Sequence, residues 1–387
     1  MNKRLMTILK SDLAKIGSII FIASLSSNLI LFLANLFVAD KTGSINFGIF
    51  KVVTYLFAFL PLLIGFGTDV SMTKYIAEFG KDKEKIGYLI KWFLKVRVIG
   101  YLFLIALTLL LRDQISLLFL KDASLSYLIL AGVLLSAMSF FNVFQSAVLG
   151  FQKFKLYASS QFLSITSSAV LGVLLSPFGL FYIVIGWSLG PLIGNLPNII
   201  FISKLGILKR TKKFDIKASF LKFSMPMYIT TIVNGLFASV TPLLSLFFSQ
   251  EKIGYFSFAL LFYFAAMLIP GSLSSILFPK ISELNGLKRH NEAKNILRRA
   301  FELYGLVVVI GILFILIFSD WLFMSLFNGY INSLFMFKVL TILGFTLGFN
   351  TIYASYLQGL GKMKKFILLS LLQNIILILV SFILLSF

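Results

Sequence analysis

The chain has 387 residues, of which 59% are hydrophobic and 44 are Phe, while only 13% are charged. Runs of eighteen or more mostly apolar residues recur along it, each long enough to cross a bilayer core of about 30 Å, which excludes an ordinary soluble domain. The absence of cysteine excludes disulfides and thiolate chemistry, and the net charge of +21 raises nucleic acid as a partner until its placement is read.

The first residues, Met1 to Lys15, are polar and basic. The apolar run behind them is too long for a signal peptide and lacks a small-residue cleavage site, so it reads as a first helix. Membrane helices are predicted at 16–38, 45–67, 88–111, 125–149, 157–176, 178–202, 223–247, 254–278, 301–318, 332–357 and 366–386, about 11 in all. With a cytoplasmic amino terminus, 29 of the 35 Lys and Arg residues fall on one side, at Lys3 to Lys15, Lys74 to Arg97, Lys153 and Lys155, Lys204 to Lys222, Lys280 to Arg299 and Lys362 to Lys365. That asymmetry over short loops sets the orientation of a cell-membrane protein. The basic charge is topology, with no nucleic-acid partner.

Between helices 2 and 3, Met72 to Phe79 alternates apolar and polar residues at helical spacing before Lys81-Asp82-Lys83-Glu84-Lys85. It reads either as an interfacial amphipathic helix or as a solvated connector. Two stretches repeat. Gly150-Phe151-Gln152-Lys153-Phe154-Lys155 and Gly359-Leu360-Gly361-Lys362-Met363-Lys364 each close one apolar run and open another. Phe47-Gly48-Ile49-Phe50 opens helix 2 as Ile253-Gly254-Tyr255-Phe256 opens helix 8, and Thr73 to Phe79 follows helix 2 as Pro279 to Leu284 follows helix 8. Six helices lie between matching points, so the repeats are parallel and a transport path lies between them. The expected organisation is an all-α polytopic protein of two pseudo-symmetric helix bundles. An N-lobe spans 1–203, a basic cytoplasmic linker 204–222 and a C-lobe 223–387, one helix short of an expected twelve.

Lys51 and Lys338 each lie about one and a half turns inside the outer end of a helix. An ionisable residue there is either a functional group or a snorkelling one. An anionic substrate would use both lysines. Lys95 and Arg97, on helix 3, form a second cationic candidate or simply an extended cytoplasmic end. Asn28 and Asn35 share one face of helix 1 and Asn234 holds the matching place in helix 7; they suit either sugar hydroxyls in a wet cavity or interhelical hydrogen bonds. Asp69, Glu78 and Glu302 sit near cytoplasmic ends, and Asp40, Asp113, Asp122, Glu251 and Asp320 near outer ends, so no mid-membrane carboxylate marks a cation antiporter. His290 stands alone, so no metal site is expected. No G-x-x-x-x-G-K-[ST] occurs and no cofactor is expected.

The two six-helix lobes, the x-G-x-F opening of helix 2, Lys74-Tyr75-Ile76-Ala77-Glu78 after it and Leu221-Lys222-Phe223-Ser224-Met225-Pro226 before helix 7 resemble the Wzx-type oligosaccharide flippases of polysaccharide biosynthesis. These belong to the multidrug/oligosaccharidyl-lipid/polysaccharide exporter superfamily. The resemblance implies a V-shaped pair of bundles that moves a polyprenyl-diphosphate-linked oligosaccharide from the cytoplasmic to the outer leaflet by alternating access. It also implies helices 1 and 7 as the bending pair, membrane lipid and a lipid-linked oligosaccharide as partners, a polysaccharide polymerase or glycosyltransferase nearby, and no enzymatic activity. A multidrug or cation antiporter of the same superfamily and a lipid II flippase are the alternatives.

Overall fold

The computed structural model describes residues 3–80, 82–207 and 239–387, together with 224, 225, 228, 231, 232 and 235. Two compact units form, Met1–Val38 with Ile49–Ser249, and Ala39–Gly48 with Gln250–Phe387. The elements of the first are α1 (Lys3–Gly65, apart from its residues 39–48, which belong to the second unit), α2 (Thr68–Phe79), α3 (Lys83–Leu110), α4 (Arg112–Ile115), α5 (Ser126–Ser139), α6 (Asn142–Gly150), α7 (Phe154–Leu174), α8 (Leu180–Lys204) and α9 (Val240–Ser245). Those of the second are α10 (Gln250–Gly286), α11 (His290–Ser325), α12 (Leu334–Gly359) and α13 (Met363–Ser386). No strand occurs among the described residues. Eight of the described helical stretches are long and apolar enough to cross a membrane, and the protein is a multi-pass all-α membrane protein.

Several expected boundaries shift. The gap between the predicted helices 16–38 and 45–67 is helical except at Gly43, whose φ of 73° and ψ of 172° break α1 into two arms. The predicted helix 4 divides at Phe140-Phe141 into α5 and α6, and the predicted 301–318 extends to the whole of α11. The segment 72–79 is helical rather than a solvated connector, and α2 buries Met72, Tyr75 and Ile76 against Ile86, Leu89, Phe93, Val143 and Ala147. Of the predicted linker 204–222 only 204–207 lie within the described residues, and 10 of the 25 residues of the predicted helix 7, Asn234 among them, lie outside.

Prolines inside helices free carbonyls, and neighbouring serines take them up. Pro61 cannot donate to the Phe57 carbonyl one turn earlier, and Ser136 Oγ of α5 donates to it at 2.8 Å. Pro191 leaves the Trp187 carbonyl free, and Ser168 Oγ of α7 donates to it, also at 2.8 Å. In a bilayer, where water is absent, a kinked helix needs such a partner. Helices α7 and α8 come close enough for this because their contact faces are small. Ser164, Ser168 and Gly172 oppose Gly186, Gly190 and Gly194, and a Cβ at Gly190 would overlap Ser168 Oγ and the Ser164 carbonyl.

The duplication is visible in packing. Gly150, which ends α6, lies on Thr73 and Ile76; a Cβ there would stand 2.8 Å from Ile76 Cβ. Gly359, which ends α12, lies on Phe278 and Ile281 with the same 2.8 Å approach. The turns that follow are alike: Gln152 and Gly361 take left-handed φ of 57° and 72°, and Lys153 N and Lys362 N close them on Val148 O and Leu357 O at 3.1 and 2.9 Å. Ile76 thus matches Ile281, one position away from the alignment read on Lys74 and Lys280. The reason is local: the first repeat breaks at Phe66-Gly67 between α1 and α2, whereas α10 runs through without interruption. Within the second unit, a Cβ on Gly48 would strike the Gln250 carbonyl and one on Gly254 would strike the Ser44 carbonyl. Ser44 and Gly48 therefore meet their repeat counterparts reciprocally.

Candidate functional site

Both arms of α1 contribute to a buried cationic site. Asn35 and Lys51 are equally far from Gly43 along the chain, so the hairpin brings them to one depth, about 12 Å from the turn at 1.5 Å per residue. Lys51 Nζ donates to Asn35 Oδ1 at 2.5 Å, and Asn35 Nδ2 donates to the Leu31 carbonyl at 2.7 Å. The second bond fixes the amide with its oxygen toward the lysine. The ammonium also lies 5.3 Å from the Tyr55 ring centroid and 5.5 Å from that of Phe50. Lys51 is 5% exposed, so it does not carry its charge to a surface of the unit. Asn28, by contrast, donates to the carbonyl and hydroxyl of Ser24 on its own helix, at 2.8 and 3.3 Å.

A second cluster joins α2, α3 and α6. Arg97, 4% exposed, forms an ion pair with Asp69 and donates from Nε to Thr68 Oγ1 at 3.1 Å. Thr68 Oγ1 in turn donates to the Gly65 carbonyl at 2.6 Å, and Ser146 Oγ donates to Asp69 at 3.2 Å. The guanidinium is thus committed to a carboxylate and to a hydroxyl, both on the first turn of α2. Lys95, two residues earlier, is exposed and does not join it. Lys338 of α12 is held by Asp320 of α11 at 2.9 and 3.1 Å. The structure therefore brings Lys51 and Asn35 together, and gives Arg97 and Lys338 carboxylate partners that the sequence reading did not assign. The Asp320–Lys338 pairing had a signal, since both residues flank the same short connection at similar distances.

Sequence reasoning also missed an amide chain. Ser160 Oγ donates to Asn198 Oδ1 at 2.8 Å, Asn198 Nδ2 to Asn195 Oδ1 at 2.9 Å, and Asn195 Nδ2 to Asn142 Oδ1 at 3.2 Å. The chain ties α6, α7 and α8 together, and the three-residue spacing of Asn195 and Asn198 on one helix was its available mark. Among the described residues, no three His, Cys, Asp or Glu side chains gather as metal ligands would.

A family profile described as "Polysaccharide biosynthesis protein" matches residues 13–285. No curated protein sequence matches the chain. Among solved structures, the inward-facing form of a multidrug resistance MATE family transporter of the MOP superfamily aligns with a TM-score of 0.72 at 14% identity, covering 90% of this chain and 84% of the other. The lipid II flippase MurJ in an inward closed conformation aligns at 0.70 and 16% identity, over 95% of this chain and 86% of that one. A MATE structure in a bent conformation aligns at 0.61 and 14% identity, over 97% and 94%. These likenesses establish the transporter fold.

Proposed function

The chain belongs to the polysaccharide biosynthesis protein family, and from that premise we propose that it is a flippase, not an enzyme. It moves a polyprenyl-diphosphate-linked oligosaccharide from the cytoplasmic to the outer leaflet by alternating access. The observation that carries the reading is Lys51, a cation buried inside a membrane span and aimed by Asn35. A charge at such depth costs about 2.5–3.5 kcal/mol on insertion scales, which favours a functional reason for keeping it. A diphosphate headgroup crosses a low-dielectric core only if fixed donors replace its water. Lys51 supplies a charged donor for that purpose, while the prenyl tail stays in lipid. The Lys/Arg distribution supports a cell-membrane protein with a cytoplasmic amino terminus. The flipped lipid is then consumed by a polysaccharide polymerase or glycosyltransferase.

The test is headgroup translocation in proteoliposomes containing the full chain and a short-glycan polyprenyl-diphosphate lipid. Native protein moves the lipid, and Lys51→Ala lowers the rate about tenfold or more, as loss of one charge-assisted hydrogen bond implies. Lys338→Ala has a smaller effect, because Asp320 already neutralises that lysine. Efflux of a cationic dye with no lipid movement would replace this reading with an antiporter. Translocation of lipid II in preference to the glycan-diphosphate lipid would replace it with the other flippase class.

A further inference from the structure

The second unit contains a cavity of about 270 Å³ between α10, α12 and α13, whose wall combines hydroxyls and amides with apolar surface from residues such as Ala354 and Phe366. Ser274, Thr351, Ser355, Gln358, Gln373 and Asn374 face it, and no charged side chain lines it. Part of this polar wall is tied down: Ser274 Oγ donates to the Thr351 carbonyl at 3.1 Å and Gln373 Nε2 to Thr351 Oγ1 at 3.4 Å. The side-chain amides of Gln358 and Asn374 make no hydrogen bond among the described residues, although both are half-buried on membrane-spanning helices. Polar groups placed there need partners, and a cavity supplies room for a guest that brings them.

The internal repeat sharpens the point. In the register set by Gly150 on Ile76 and Gly359 on Ile281, Ser274 stands where the first repeat has Asp69, Thr351 where it has Asn142, and Ser355 where it has Ser146. The first repeat fills this place with the Arg97–Asp69 ion pair. In the second, the charges are gone and the space is open. At two further positions an apolar residue of the first repeat gives way to an amide in the second: Leu149 is matched by Gln358 and Ile165 by Asn374. Both new amides face the cavity.

We propose that this cavity binds a single uncharged sugar ring, the hydroxyls of which pair with Gln358 and Asn374. Its size is slightly below the range of about 300–1,000 Å³ that holds drug-sized ligands, which suits one ring rather than an oligosaccharide. Its neutral wall of donors and acceptors matches hydroxyls, not phosphate. The proposal names a sugar subsite and so rests on the flippase reading for its biological meaning, though its binding is measurable apart from transport. Lys362, Lys364 and Lys365 precede Phe366, which lines the cavity, so a diphosphate and its first sugars would meet this part of the chain together on the cytoplasmic side of the proposed orientation.

The experiment is saturation-transfer NMR on the purified full chain in a sugar-free zwitterionic detergent, with the methyl glycosides of glucose, galactose and N-acetylglucosamine as probes. At least one glycoside gives a signal with the native protein. The signal weakens about tenfold in Gln358→Leu/Asn374→Ile, which installs the residues of the first repeat and removes two amide partners. Thermal unfolding run in parallel confirms that the variant is folded; if it is not, the single variants Gln358→Leu and Asn374→Ile take its place. Absence of signal from all three probes with native protein, or an unchanged signal in the folded variants, overturns the proposal. Glycoside binding without lipid translocation in proteoliposomes would retain the subsite and overturn the flippase reading instead.

Discussion

Removing the Asp69 carboxylate tests whether the Arg97 cluster is a committed ion pair. Arg97 is 4% exposed, and Asp69 is its charged partner. In Asp69→Asn the guanidinium keeps its bond to Thr68 but loses the opposite charge. Breaking a fully buried pair costs about 3–5 kcal/mol, while an exposed pair is worth about 0.2–1 kcal/mol. The Asp69 side chain is 43% exposed, so the expected cost lies between these, at about 1.5–3 kcal/mol. Adding Arg97→Met removes the stranded charge and replaces it with an apolar chain of similar reach. The double variant is therefore more stable than Asp69→Asn alone, by about 1–2 kcal/mol. Equilibrium unfolding in mixed detergent–lipid micelles, read by far-UV circular dichroism, measures all four corners of the cycle. An Asp69→Asn protein within about 0.5 kcal/mol of native, or a double variant weaker than the single, refutes the reasoning.

Gly190→Ala forces Ser168 away and so frees the Trp187 carbonyl that Pro191 exposes. Overpacking of about 1–3 kcal/mol plus a lost interhelical bond of about 0.6–2 kcal/mol puts the destabilisation near 2–5 kcal/mol, measurable by the same unfolding assay. Gln152 adopts the left-handed conformation that Gly361 takes in the second repeat, so Gln152→Gly should raise stability by up to about 1 kcal/mol in that assay. Asp82 caps α3 by accepting from Lys85 N at 3.1 Å, and that backbone hydrogen bond, followed by the Lys85 ammonium, holds its carboxyl below the usual carboxylate range. Because the folded state favours the ionised form, the cap contributes in full above the unfolded value of about 3.9 and is lost as pH falls through the lowered folded value. Amide exchange at Glu84 to Ile86, corrected for intrinsic rates, should accelerate across that acid window in native protein and be pH-insensitive in Asp82→Ala.

The positions of the spans, the basic turns and the duplication follow from hydrophobic run length, glycine and lysine, all of which act locally and leave a mark on the chain. Gly150 and Gly359 show this well, since the same G-x-x-K-x-K spacing produces the same turn and the same seat on an isoleucine. Lys51 and Asn35 were each visible as polar residues in apolar runs, but their meeting required the break at Gly43 to fold one arm back on the other. The partners of Arg97 and Lys338 were not legible as partners, because Asp69 and Asp320 look like ordinary residues at helix ends until packing places them. Membrane insertion is governed by how apolar each segment is, and sequence records that directly. Which polar side chains answer one another depends on how helices cross, and only the tertiary structure decided it.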